Sequence, residues 1–218
     1  MTETTYFYAT LKNLNNKGYT IKTIATLIII STFLFADSTH AHHSNKNQEI
    51  LHSMHQTMYG ISMSCNVDID FLTDMIAHHQ GVLDSATLYL DEAKNENLKE
   101  MAQQIIDTQS SEIKYFEDLI EKLQKEKKDC DSTSYKEFQD QAQIDLETMM
   151  QEMNNVTPSE NIDFDFAKAM IEHHKGAINS SKTILKYTNN AEIKEIANNI
   201  IKLQDDEIKR MQQIISAK

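Results

Sequence analysis

Residues 68–85 read DIDFLTDMIAHHQGVLDS, and residues 163–180 read DFDFAKAMIEHHKGAINS. The two stretches lie 95 positions apart and overlay without a gap. The match runs on from 68–120 to 163–215, with 21 identities in 53 positions. Upstream, Met54 aligns with Met149 and Met58 with Met153. Self-similarity at one fixed offset marks a structural unit used twice.

The composition says what kind of unit it is. One proline, four glycines and no tryptophan in 218 residues leave few breaks for strands and turns, which predicts long helices. Each copy divides into a short helix (about 46–60 and 136–155), a second helix (about 68–92 and 163–188) and a third (about 96–127 and 191–217). Asp68 and Asp163 suit the N-terminus of the second helix. The polar connections Lys94-Asn95-Glu96 and Asn189-Asn190 are short, so the long helices of each copy should be antiparallel neighbours. Residues 128–134 form the linker between copies. The expected class is all-α: a four-helix bundle built from two tandem hairpins, each with a short preceding helix.

Residues 1–41 differ from the rest. Lys12, Lys17 and Lys22 precede an apolar run from Ile24 to Ala36. A run of about 13 residues is short for a bilayer span and has the layout of a secretory signal, cleaved after Ser38 or Ala41. An uncleaved anchor is the alternative. The expected organisation is a leader (1–41) and two repeats (42–130 and 131–218), secreted or periplasmic, with membrane contact only through the N-terminal segment. The net charge of −12 speaks against nucleic acid as a partner and favours attraction of cations. A homo-oligomer stays open.

On a helical wheel the second helix has an apolar arc centred about 60° from Phe71. His79 falls inside that arc and His78 on its edge; His174 and His173 repeat the pattern. Met75 lies one turn before both histidines, so all three can meet. The third helix carries Gln109 and Glu112 on its apolar stripe, and Gln204 and Glu207 repeat them. Buried polar groups need partners. An inward Glu can accept from an inward His ring and fix its tautomer.

The candidate metal ligands are Met54, Met58, Met75, His78 and His79, with the copies Met149, Met153, Met170, His173 and His174. Thioether and imidazole together suit Cu(I). His52, His55 and Met63 lie around the first copy, and His42 and His43 form a short tract that could hold Cu(II) or Zn(II) loosely. The competing reading is that methionines at helical spacing fill a core and each histidine is a satisfied buried polar group. A di-iron centre would need paired Glu-x-x-His motifs. Glu49-x-x-His52 fits once, but its repeat positions are Ile144 and Glu147. Cys65 and Cys130 bracket the first hairpin at one end, which favours a disulfide over Cys65 as a thiolate ligand. No nucleophile–base pair, phosphate loop or CxxC motif is visible, so an enzyme is not expected.

The pattern D-x-D-F-x-x-x-M-I-x-H-H-x-G (68–81 and 163–176), followed by I-I-x-x-Q-x-x-E-I (105–113 and 200–208), resembles the DUF305 family over about residues 49–217. The resemblance implies a ferritin-like helical fold, usually exported. It further implies Cu(I) binding through Met and His in some members, at the ten positions above. Three functions follow: sequestration or carriage of Cu(I), with Ag(I) as a second cation; a structural or interaction module; or a ferritin-like redox enzyme.

Overall fold

The computed structural model describes residues 38–217 except 59, 126 and 127, and side chains from residue 46 onward. The candidate leader up to residue 37 therefore lies outside what is described, and His42 and His43 are described in backbone only, within α1. The described residues are all-helical, with six helices and no strand. They are α1 (Ser38–Ser53), α2 (Val67–Glu92), α3 (Glu96–Leu123), α4 (Thr133–Asn154), α5 (Ile162–Tyr187) and α6 (Ala191–Ser216). Residues from His42 onward form one compact unit, so the two repeats share a body. No described helix is long and apolar enough to cross a membrane.

The caps repeat with the sequence. Asn66 accepts from the amides of Asp68 and Ile69, and its copy Asn161 accepts from Phe164 N–H. Asn95 and Asn190 cap α3 and α6 in the same way. The expectation that Asp68 and Asp163 mark the caps is thus corrected by two residues. An Asx side chain caps best from just outside the helix, where its backbone is extended. The aspartates sit in the first turn, where negative charge still favours the positive helix end.

One further boundary differs from the expectation. α1 ends at Ser53, not near 60. Beyond it, Gln56 N–H donates to Ser53 and Met58 N–H to His55, three residues back. Met54 and Met58 are therefore not neighbours on one helix face. Met149 and Met153, on α4, are.

Within each repeat the long helices form a hairpin, α2 with α3 and α5 with α6. Across repeats, α2 packs on α5 and α3 touches α6. Tyr89, late in α2, stacks at 3.8 Å on Phe166, early in α5, and its hydroxyl donates to Asp163 at 2.6 Å. The two helices therefore run antiparallel, as pseudo-twofold symmetry requires. Phe71, Leu72, Phe116 and Phe166 are almost wholly buried, and removing each from water contributes on the order of 2 kcal/mol.

Each short helix also clasps the other repeat. Asp70 accepts from its own loop through Ser64 N–H (2.6 Å), and from Tyr135 (2.8 Å) and Gln139 (2.8 Å) on α4. Its copy Asp165 accepts from Ser159 N–H (2.6 Å) and from Asn47 (2.9 Å) on α1. These carboxylates are buried, and several donors apiece offset the cost of taking them from water. Cys65 and Cys130 form a disulfide with Cα atoms 4.5 Å apart.

Candidate functional site

The histidines of the two copies meet at the centre of the repeat interface. The rings of His78 and His173 lie 3.7 Å apart, centroid to centroid, and His78 Nε2 is 3.1 Å from the His173 carbonyl. Both side chains are buried. This corrects the wheel, which placed them at the rim. The wheel sees one helix, and the edge of the α2 arc is the face that α5 covers.

His79 and His174 face the other way, toward the hairpin partner. His79 Nε2 lies 2.9 Å from Glu112, and His174 Nε2 lies 2.8 Å from Glu207. These are the His–Glu pairs expected from the polar positions on α3 and α6. A carboxylate acceptor places the ring proton on Nε2, leaving Nδ1 as the basic nitrogen. Both Nδ1 atoms are buried without a hydrogen-bond partner.

Met75 and His78 line a cavity of ≈ 60 Å³ together with Met58 and Met149. Asp74, Asp145, Leu146 and Gly176 complete much of its wall. Three thioethers and one imidazole thus surround a single small space, drawn from α2, α4 and the turn after α1. His78 Nε2 is engaged by the His173 carbonyl, but its Nδ1 is buried and unpartnered. Of the ten candidate ligands, these four line this cavity. His79 and His174 are committed to glutamates. Met54 and Met170 are fully buried in the core, and Met153 packs in the same apolar cluster. His173, beside His78, faces the Met54 backbone. His52 and His55 form an edge-to-face pair, and Met63 is 74% exposed.

The copies have diverged at this place. A Cβ on Gly176 would meet the Met149 side chain, 2.6 Å from Cγ and closer to the sulfur. A Cβ on Gly81 would meet the Met54 backbone, 2.9 Å from its carbonyl carbon and closer to the oxygen. Asp74 of the first copy is Ala169 in the second, and Asp145 of the second is Ile50 in the first. Asp74 and Asp145, which the repeat motif does not single out, supply the acidic wall. Their signal in the sequence was a difference between the copies.

The electrostatics favour neutral histidines in the apo site. Burial holds the His78 imidazole well below its usual pKa, helped by His79 and His174. Burial does the same for His173, with His78, His174 and His79 adding to it against the Met54 carbonyl. Burial pushes the Asp74 carboxyl up to about 6, against its bond from Ser62 N–H. Stability should follow. The two histidines are neutral when folded and protonate when unfolded below about pH 6.5, so the stability they contribute at neutral pH is lost on acidification. Asp74 acts oppositely: its contribution is full below about pH 4 and lost as pH rises through about 6. Two groups outweigh one. The melting temperature of the metal-free protein should fall from pH 7 to pH 5, and Asp74→Asn should steepen the fall. A flat profile over that range would mean the histidines are not buried neutral.

Among the described residues, no three His, Cys, Asp or Glu side chains gather into a metal-binding group. What remains is a helical repeat protein with a mixed sulfur–nitrogen cavity at the junction of its copies. The family described as Domain of unknown function (DUF305) matches residues 68–215, and the chain belongs to that family. No curated protein and no solved structure matches.

Proposed function

We propose that this protein binds a soft monovalent cation, Cu(I) and in its place Ag(I), and sequesters or carries it without turnover. One observation carries the reading: Met58, Met75, Met149 and buried His78, whose Nδ1 has no hydrogen-bond partner, line one small cavity. Soft thioethers with an imidazole suit Cu(I). The residues fit such an ion, because an orphaned buried nitrogen gains a partner and Asp74 and Asp145 offset the added charge. Thioethers do not titrate, so three of the four donors keep their capacity in acid. His79–Glu112 and His174–Glu207 hold the helices that present the site.

The reading includes export, with residues 1–41 as leader, in a secreted or periplasmic setting. It takes α2, α3, α5 and α6 as a ferritin-like four-helix bundle. It also reduces the two equivalent places to one occupied place, since Met54 and Met170 are buried as core. Those same buried methionines favour the second reading, a structural module whose sulfurs only pack.

A Cu(I) titration of the protein against a competing chelator separates the two. We expect one ion per chain. Met58→Leu with Met149→Leu keeps side-chain volume and should weaken binding by at least the roughly 10–100-fold that loss of an outer-shell partner costs. His79→Ala with His174→Ala should leave one ion bound. Wild-type affinity in the double leucine variant would return these sulfurs to packing.

A further inference from the structure

The cavity is walled on its outer side by half-exposed residues, Ile61, Asp74 and Asp145 among them, and an ion that is never free in water must reach it by ligand exchange. The α4 sequence places two methionines in succession, Met149 and Met150. Met149 lines the inner cavity. Met150 is half-buried and lines a separate, solvent-open groove of ≈ 520 Å³ with Glu147 and Gln151. Met58, Gly60 and Leu146 line both spaces. Groove and cavity therefore share a wall.

That wall is suited to opening. Met58 lies in the turn after α1 and outside any helix, on an unbranched, flexible side chain. A Cβ on Gly60 would meet no heavy atom within 4 Å. Met58 packs at the edge of the apolar core at 7% exposure, against 0% for Met54. Outside the wall, Glu147 is exposed and the net charge is −12, which raises the local concentration of cations.

Resting on the metal-binding reading, we propose that Met150 is the landing ligand and Met58 the relay that passes the ion inward. The step is a ligand exchange. A bond from the Met58 sulfur to Cu(I) forms as the bond from the Met150 sulfur breaks, and the ion keeps its charge and oxidation state. Met58 then holds the ion on the cavity side, where Met75, Met149 and His78 complete the set. Met150 acts on the rate of loading and not on the final affinity. It is a positioning residue for transfer.

The test is stopped-flow transfer of Cu(I) from a coloured chelator, paired with the equilibrium titration. Met150→Leu should slow transfer about tenfold, a barrier change of roughly 1.4 kcal/mol, and leave Kd unchanged. Met58→Leu should lose both rate and affinity. Met63→Leu, at an exposed thioether outside the groove, should change neither. With Ag(I) and ¹³C-methyl methionine, the methyl signals of Met58, Met75 and Met149 should shift at one equivalent, and that of Met150 should not. Tight binding by the wild type with an unslowed Met150→Leu variant overturns the route and leaves the site standing. A Met150 methyl that shifts in the equilibrium complex also overturns it, since Met150 would then be a permanent ligand. No binding by the wild type overturns the site itself.

Discussion

Gly81→Ala should destabilise the protein by about 2 kcal/mol, the usual range for overpacking, while Gly176→Ala should leave it folded and lose the soft-cation site. The two glycines occupy the same place in the repeat motif. Alanine inside a helix is about 1 kcal/mol better than glycine, so each variant starts with the same gain. What the new methyl meets decides the outcome. At 81 it meets the Met54 carbonyl, and backbone in a closed turn moves only with its helix. The Met54–Met58 turn is further tied to α2 by Thr57, whose hydroxyl donates to the Ala77 carbonyl at 2.6 Å. At 176 the methyl meets the Met149 side chain, which can change rotamer at a cost of about 1 kcal/mol. The gain and the cost then nearly cancel, but the sulfur leaves the cavity. Urea unfolding should show the loss only in Gly81→Ala. The Cu(I) titration should show weakened binding in Gly176→Ala at native stability. Equal stability losses would mean that Met149 is as fixed as the Met54 backbone.

These glycines mark the limit of what the sequence could tell. Offset self-alignment finds both and cannot distinguish them, because the difference lies in the partner helix. α1 ends at Ser53 while its copy α4 continues to Asn154, so Met54 offers a carbonyl where Met149 offers a side chain. The long helices were legible because apolar spacing and short polar loops are local signals. The His–Glu pairs were legible because a polar residue on an apolar stripe needs a partner. The contact of His78 with His173 was not legible, since a wheel drawn for one helix leaves open which edge a second helix covers. The clasps on Asp70 and Asp165 were missed for a related reason. Their donors Tyr135, Gln139 and Asn47 come from the opposite repeat and do not themselves repeat: the positions matching Tyr135 and Gln139 are His40 and Ser44, and the position matching Asn47 is Ala142. Folding assembled a cavity from four side chains that only the tertiary structure brings together.

Replacing both cysteines by serine should lower stability by about 4 kcal/mol and the melting temperature by roughly 12 °C at this size. The crosslink spans 65 residues, and closing a loop of that length in the unfolded chain is worth about 4 kcal/mol. Cys65 has φ of 69°, a left-handed backbone that costs a non-glycine residue about 1 kcal/mol. The backbone conformation would survive the substitution, because Cys65 N–H donates to the Tyr135 hydroxyl and its carbonyl accepts from Asp129 N–H. Serine therefore keeps the cost and loses the crosslink. The loss should be uneven between the repeats, since the second copy has no cysteine and its equivalent loop is held by the Asp165 clasp alone. Hydrogen exchange should rise first at residues 60–66 and 128–132 and stay unchanged at 155–161. Met58, Gly60 and Ile61 of the first loop also line the cavity. The same double variant should therefore release Cu(I) faster, with its spectrum unchanged once the ion is bound. Unchanged exchange in both loops would show that hydrogen bonds alone hold this end of the molecule.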